Sequence, residues 1–293
     1  MTHGPTKLRM RTGKYLPHIF IMTNKSIYTE LSPDYLQRFG GIARLYGQNA
    51  LVALHSAHFA VIGLGGVGTW VAEALARSGV GELTLIELDD VCVTNTNRQS
   101  HALKSNIGLS KNKVIGERLK DINPDIIIHS IEDFIDQDNM NSFIGKQHHV
   151  VIDAMDAVHI KARLVAYCLA IKVRLITVGS SGGKRDPQQV RVADLGRTES
   201  DPMLVKIRTQ LYRHFNFSRD KNRKFRVDAV YSTEQMVYPK PDGSVCMDKQ
   251  FLEAGVKLDC AGGFGSSVMV TGTFGFVAAT RAIERYLSVT LTK

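Results

Sequence analysis

The sequence predicts an α/β fold: a doubly wound, mostly parallel sheet with helices on both faces. Three observations predict it. Short apolar runs alternate with helix-patterned segments from His58 to Val178, joined by short connections, and such strand–helix–strand repetition builds a parallel sheet. A glycine loop, Gly63-Leu-Gly-Gly-Val-Gly68, separates the first apolar run from the helix after it. A chain of 293 residues, 44% hydrophobic and 22% charged, has ample material for a large core and no signature of disorder.

Taken in order, residues 32–57 carry apolar positions at mixed helical spacing (Leu36, Phe39, Ile42, Leu45, Leu51, Leu54) and open on Ser32-Pro33-Asp34, a good helix start. His58 to Ile62 is the first strand, and Trp70 to Ser78 a helix ended by Gly79. Glu82 to Leu88 is a second strand, Val114 to Ile122 a helix, and Asp125 to Ile131 a third strand. His149 to Ile152, a helix over His159 to Ile171, and Val173 to Val178 continue the pattern. Beyond Gly179 it loosens. Residues 186–202 read as a strand and a crossover, 203–226 as a basic helix and loop, and 229–247 as a Pro/Gly-punctuated excursion. Ser267 to Val289 is a helix that docks on the sheet as a C-terminal extension. No linker divides the chain. Residues 30–293 are expected to form one domain, with a basic insertion at about 203–247, behind a disordered basic leader over 1–29.

Formal net charge is +9, from 37 Lys+Arg against 28 Asp+Glu. Lys7, Arg9, Arg11, Lys14 and Lys25 all precede the first acid, Glu30. A nucleic-acid arm or a transit peptide would look like this; the plainer expectation is that Met22 is the natural start and the leader an extension before it. Cys92, Cys168, Cys246 and Cys260 form no CxxC pair, which argues against a four-thiolate zinc site and a disulfide scaffold, and for a reducing, cytoplasmic setting. Cys260 to Thr280 is uncharged, but its glycines and hydroxyl residues mark a buried segment of a soluble core, so no integral membrane association is expected.

Gly63, Gly65 and Gly68 make a GxGxxG, weak alone but here flanked by strand and helix, with Glu87 ending the next strand. This is a Rossmann-like nucleotide site: a turn without Cβ obstruction, backbone N–H groups facing phosphate, and a carboxylate for ribose hydroxyls. The residues downstream select a triphosphate. Asp89 and Asp90, Asn95-Thr-Asn-Arg98-Gln99, Lys111 and Asp153-Ala-Met-Asp156 follow in order. Arg and Lys neutralise phosphate charge during transfer, and a carboxylate can hold Mg²⁺. Taken singly, Lys111 is a surface lysine, Arg98 a solvated charge and Asp156 a helix N-cap.

This array resembles the E1-like adenylating superfamily, which activates carboxylates as acyl-adenylates. The flanks Arg38-Phe-Gly-Gly-Ile-Ala-Arg44-Leu-Tyr-Gly47, Asp90-Val-Cys-Val-Thr-Asn-Thr-Asn-Arg-Gln99, Ser232-Thr-Glu and Asp259-Cys-Ala-Gly-Gly-Phe-Gly265 are similar to the branch that dehydrates threonylcarbamoyladenosine in tRNA. The likeness runs from about Leu36 to about Arg285. It implies ATP and Mg²⁺, with the triphosphate on Gly63, Gly65, Gly66 and Gly68. It implies Glu87 at the ribose, where relatives usually have Asp, Asp89 near the phosphates, Asn95 and Arg98 along the phosphate channel, and Lys111 on the phosphates. Asp156 matches the Mg²⁺ carboxylate. Arg44, ahead of Arg38, matches an arginine that reaches the partner subunit's nucleotide, hence a homodimer. Asp156, Arg98, Lys111 and Arg44 are thus the implied catalytic set. A cysteine desulfurase or sulfur-acceptor system is a further partner the family admits. Zinc CxxC pairs of the sulfur-carrier activators are absent.

Between Lys206 and Arg226 lie Lys206, Arg208, Arg213, Arg219, Lys221, Arg223, Lys224 and Arg226 against a single acid, Asp220, interleaved with Tyr212, Phe215, Phe217 and Phe225. Phosphate neutralisation with aromatic stacking is how proteins hold looped RNA, so the segment is expected to bind the tRNA anticodon arm; the competing picture is a solvated basic face with its aromatics in the core. Three rival functions stand beside tRNA dehydration: an activator of a ubiquitin-like or sulfur-carrier protein, a nucleotide-binding scaffold without turnover, and an NAD-dependent oxidoreductase. The first would often use a cysteine, but Cys168 reads as buried in a helix.

Overall fold

Ser32 caps the first helix, its Oγ accepting from Tyr35 N at 3.1 Å ahead of Pro33 at the first helical position of α1 (Pro33–Tyr46). The computed structural model describes residues 31–220, 222–240, 242–248 and 264–292; the leader with Met22, Lys221 and residues 259–263 of the Asp259–Gly265 motif lie outside them. The helical run expected over 32–57 is two helices, because Gly47 takes φ 95° and α2 (Gln48–His55) starts anew. α1 buries Tyr35 and Phe39, and the Tyr35 hydroxyl donates to the Gly79 carbonyl.

The alternating region follows the sequence pattern. β1 (His58–Ile62), α3 (Gly68–Arg77), β2 (Glu82–Ile86), α4 (Lys111–Ile122), β3 (Ile127–Ile131), a single turn α5 (Met140–Phe143), β4 (Val150–Asp153), α6 (Val158–Ala170) and β5 (Arg174–Val178) follow one another. β6 (Val190–Asp194), α7 (Pro202–His214), β7 (Asp228–Ser232), the short β8 (Tyr238–Pro239) and β9 (Val245–Cys246), and α8 (Val268–Thr290) complete the order. Seven strands form one sheet in the order β3-β2-β1-β4-β5-β7-β6, and every pairing is parallel except β6 with β7.

One expectation is corrected here. The start of the segment read as an excursion over 229–247 is β7, a fully buried strand between β5 and β6. Buried on both faces, it shows no alternation that a sequence pattern could register. Its first residue, Asp228, is held by Arg281 (3.0 Å) and Arg285 (2.5 Å) from α8. Those two guanidiniums keep its carboxyl below the usual range despite burial.

Residues Leu31–Lys293 form one compact unit. Its sheet is covered on one side by α3, α4 and α8, packed through Leu75, Leu119 and Phe274, and on the other by α6 and α7, packed through Leu164 and Leu211. Gly275 lets α8 approach α3: a Cβ there would stand 2.7 Å from Trp70 Cβ and 2.8 Å from the Val67 carbonyl. Among the described residues no helix is long and apolar enough to cross a membrane.

Candidate nucleotide site and basic surface

The chain runs from β1 outward to β3, then returns to β4 beside β1, so the strand order reverses between β1 and β4. Open α/β sheets bind ligands at the carboxyl ends of the strands at such a switch point. A cleft of about 1200 Å³ lies there. Its floor is the glycine loop, which needs glycine for reasons the structure makes explicit. Gly63 has φ +85° and a Cβ on it would meet the Ala154 carbonyl at 3.1 Å. A Cβ on Gly68 would collide with the Gly63 carbonyl, and one on Gly66 would press on Arg98 Cγ at 3.2 Å. The N–H groups of Gly65, Gly66 and Val67 donate to no described residue. They are unspent donors ahead of α3, where the helix dipole favours an anion.

Gly63, Gly65 and Gly66 line this cleft from β1, and Glu87 and Asp89 from the end of β2. Asn95, Arg98, Lys111 and Asp156 line it from beyond. Glu87 is buried and binds protein: Oε2 accepts from Leu64 N at 2.8 Å, and Oε1 from Leu88 N and Asp89 N at 3.1 and 3.0 Å. It therefore ties the glycine loop to the end of β2, which closes at Ile86, two residues before the expected Leu88. Lys111 is buried, with Nζ 2.9 Å from the half-exposed Asp89 carboxylate. Asn95 is buried and accepts from Cys92 N at 3.0 Å. Arg98 donates to the Thr94 carbonyl at 2.6 Å and to Asn97 Oδ1 at 3.2 Å.

Asp156 is exposed, and the cap it resembles in sequence is absent. Ala157 is the N-cap of α6 and makes no side-chain cap bond. Asp156 has no hydrogen bond or ion pair among the described residues. The acid that shapes this loop is Asp153, at the end of β4. It pairs with Lys161 at 2.9 Å, both side chains wholly buried, and accepts from Thr177 Oγ1 at 2.7 Å. Lys161 was not legible as a site residue; the only trace is a lysine on the apolar face of a helix, eight positions after an acid that ends a strand. Phe134, Ser180, Ser181 and Thr271 also line the cleft unannounced by the sequence. Gln99, which lines it, has its Oε1 buried with no partner among the described residues.

Arg44 and Arg38 lie on α1 and do not line the cleft. Arg38 is spent on Asp34 at 2.6 Å, whereas Arg44 is exposed and makes no ion pair among the described residues.

The basic segment differs from its expectation in one respect. Phe225 is buried, and the partly buried Tyr212, Phe215 and Phe217 pack against the same core cluster, so the aromatics hold α7 and its following loop to the body. Spacing alone could not reveal which way they point. Arg208 also turns inward, its guanidinium donating to the Leu195 carbonyl at 3.3 Å and to Thr198 Oγ1. Lys206, Arg213, Arg219, Arg223, Lys224 and Arg226 are exposed, with Arg219 lying 4.8 Å over the Tyr212 ring. Cys168 is buried within α6, as read from sequence, and burial pushes its thiol up to about 12.

The sheet order, the switch-point cleft and the glycine loop define a doubly wound α/β protein of the ligand-binding class. Comparison with known proteins is more specific. The chain belongs to the ThiF family, whose model matches residues 40–290. It is 48% identical over 258 residues to the tRNA threonylcarbamoyladenosine dehydratase of Escherichia coli strain K12, an alignment spanning 88% of this chain and 96% of that one. To the protein of the same name from Haemophilus influenzae it is 47% identical over 254 residues, covering 87% and 95%. The crystal structure of the E. coli dehydratase in complex with ATP superimposes with a TM-score of 0.80 at 44% identity, covering 89% of this chain and 98% of that one.

Proposed function

We propose that this chain is an ATP-dependent dehydratase that cyclises threonylcarbamoyladenosine in tRNA. The observation that carries the reading is the convergence on one cleft of a glycine cradle, Arg98, Lys111 and an unpartnered Asp156, in a chain nearly half identical to dehydratases of that name. The threonyl carboxylate attacks the α-phosphorus of ATP and pyrophosphate leaves. The carbamoyl group then attacks the activated carboxyl carbon, the ring closes, and AMP departs with the carboxylate oxygen, so one water is lost overall. The second step is intramolecular and gains the effective molarity of a tethered reactant, which is why no protein nucleophile is needed.

The residues fit these ligands. The unspent N–H groups of the loop suit phosphate oxygens, and the space a Cβ would fill at Gly66 lets the backbone approach them. Lys111 is already aimed into the cleft by the half-exposed Asp89 carboxylate, and a phosphate oxygen would take over as the partner of its buried ammonium. Arg98 adds a second cation. Glu87 would receive the ribose with whatever lone pairs its three backbone donors leave. Asp156 is a hard oxygen donor without a protein partner and would hold Mg²⁺, which neutralises phosphate charge when bound. Arg44, free where Arg38 is paired, would complete the nucleotide site of the second subunit in a homodimer. The exposed cations Lys206, Arg213, Arg219, Arg223, Lys224 and Arg226 would hold the tRNA through its phosphates; Arg208 is left out of that set, since it is tied to the 195–198 turn.

Pyrophosphate release from ATP tests the reading, with threonylcarbamoyladenosine-bearing tRNA or a ubiquitin-like carrier protein as the only acyl substrate. Release with the tRNA, and none with the carrier, is expected; the opposite pattern makes the chain a carrier-activating enzyme.

A further inference from the structure

The amino-terminal edge of the sheet holds a second set of polar side chains. In parallel strands, residues paired by register share a face and alternate residues return to it. His58 pairs with Glu82, and Thr84 with His129, so His58, Glu82, Thr84 and His129 lie on one face, the one that carries Ala60, Ile62 and Ile86 into the core under α6 and α7. Where the apolar series ends, two imidazoles converge on a single carboxylate oxygen. His129 Nε2 is 2.6 Å from Glu82 Oε1, and His58 Nδ1 is 3.5 Å from the same atom. The three ligand atoms lie within 4.8 Å of one another. A tetrahedral ion with bonds of about 2.0–2.1 Å sets its ligand atoms about 3.3 Å apart, within the span seen here.

We propose that His58, His129 and Glu82 bind a divalent transition-metal ion of the zinc type. Two imidazoles and one carboxylate are the donor set of such ions rather than of Mg²⁺ or Ca²⁺, which prefer oxygen throughout. A supporting layer is present. His58 Nε2 is 2.8 Å from Thr84 Oγ1, and this hydroxyl also lies 3.1 Å from His148 Nε2, whose other nitrogen accepts from Gly145 N at 3.3 Å. With Nδ1 on the ion, the His58 proton sits on Nε2 and is donated to Thr84, which fixes the ring; partners of this kind orient metal-binding histidines. His129 is about half exposed and Glu82 a third, leaving a fourth position open to water. The donors come from the first residues of β1 and β2 and from β3, at the edge of the sheet. The site is therefore a strand's length, roughly 16 Å, from the nucleotide cleft, and the ion would clamp the edge strand to its neighbours.

The test is a titration of the metal-free, untagged full chain with Co²⁺, followed by its visible spectrum, and with Zn²⁺, followed by calorimetry. One ion per chain is expected, with a melting temperature that rises with metal concentration. His129→Ala and Glu82→Gln should each weaken binding by more than about 100-fold, and Thr84→Val by about 10- to 100-fold, the range for a supporting residue. His159→Ala, an exposed histidine on α6, should bind as the wild type does. His129 and Glu82 are exposed enough for their variants to fold, which the melting curves without metal check. A wild-type chain that takes up no stoichiometric ion overturns the proposal, and so does an affinity unchanged in both His129→Ala and Glu82→Gln.

Discussion

Lys161 and Asp153 form an ion pair in which neither side chain is exposed, Nζ lying 2.9 Å from Oδ2. The same ammonium donates to the carbonyls of Asp153 at 3.3 Å and Met155 at 3.1 Å, while Met155 N donates back to Asp153 Oδ1 at 3.2 Å. The turn that presents Asp156 to the cleft is therefore built on a buried charge pair. Removing one member of such a pair costs about 3–5 kcal/mol, because the other is left buried and unpaired, whereas replacing both with apolar groups is often neutral. Lys161→Met should lose stability of that size in urea denaturation. Lys161→Met with Asp153→Leu should recover much of it without recovering pyrophosphate release, since the Met155 turn has lost its anchor. Equal activity in the double variant and the wild type would show that the turn holds itself.

Asp156 gives the complementary outcome. It is exposed, uncapped and unpaired, so Asp156→Ala should leave the melting curve within about 0.5 kcal/mol of wild type and abolish pyrophosphate release if this carboxylate holds the metal. Turnover retained by a normally folded variant removes Asp156 from the chemistry.

The contrast between these two acids shows how far the sequence could be read. The core of the fold was legible because its signals are local: alternating apolar runs, a glycine loop between strand and helix, Ser32 before Pro33. The nucleotide cleft followed, since a switch point collects whatever ends the strands. β7 was not legible, because its five residues are all buried and the partners of Asp228 come from α8, more than fifty residues away. Asp156 resembles a cap because an acid before a helix usually is one; the helix starts one residue later. Tyr212, Phe217 and Phe225 have the spacing of a stacking surface, but Phe225 is set by Asp194, a residue distant in sequence that accepts from Phe225 N and Arg226 N, and Tyr212 and Phe217 pack against its ring.

His101 predicts a pH dependence. It is buried, bonded to Thr69 Oγ1 at 3.1 Å, and burial, helped by Lys111 and Arg118, lowers its pKa to about 4. Its ordinary value is 6.5, so between the two values the unfolded chain binds a proton that the folded chain refuses. The stability this contributes is complete above about pH 6.5 and is lost as pH falls toward 4, at up to about 1.4 kcal/mol per pH unit. Denaturation of wild type and His101→Gln across that window should show a shallower acid limb in the variant. Parallel limbs would mean that other groups set the acid response.

Arg44 tests the assembly. If it serves the partner's nucleotide, Arg44→Ala and Asp156→Ala chains are each inactive alone, and a mixture that exchanges subunits regains activity, because a hybrid dimer holds one site with both residues intact. Random mixing puts about half the dimers in the hybrid form, each with one good site, so roughly a quarter of wild-type turnover is expected. No rescue after verified exchange would place Arg44 in its own subunit's chemistry or outside it.

The basic surface is the last term, and its test follows from the direction of its side chains. With Phe217, Phe225 and Tyr212 packed inward, tRNA affinity at this segment should come from phosphate contacts and should behave electrostatically. Each single-strand phosphate contact contributes about 0.7 to the slope of log affinity against log salt. Neutralising Arg219, Arg223 and Lys224 together should therefore flatten that slope by about 2, raise the KM for tRNA, and leave ATP binding unchanged, because the cleft is built from other elements. Phe217→Leu should lower stability through lost packing without altering the salt slope, the reverse of what a stacking platform would give. A triple variant with the wild-type slope would make these cations a solvated face and move the tRNA to another surface.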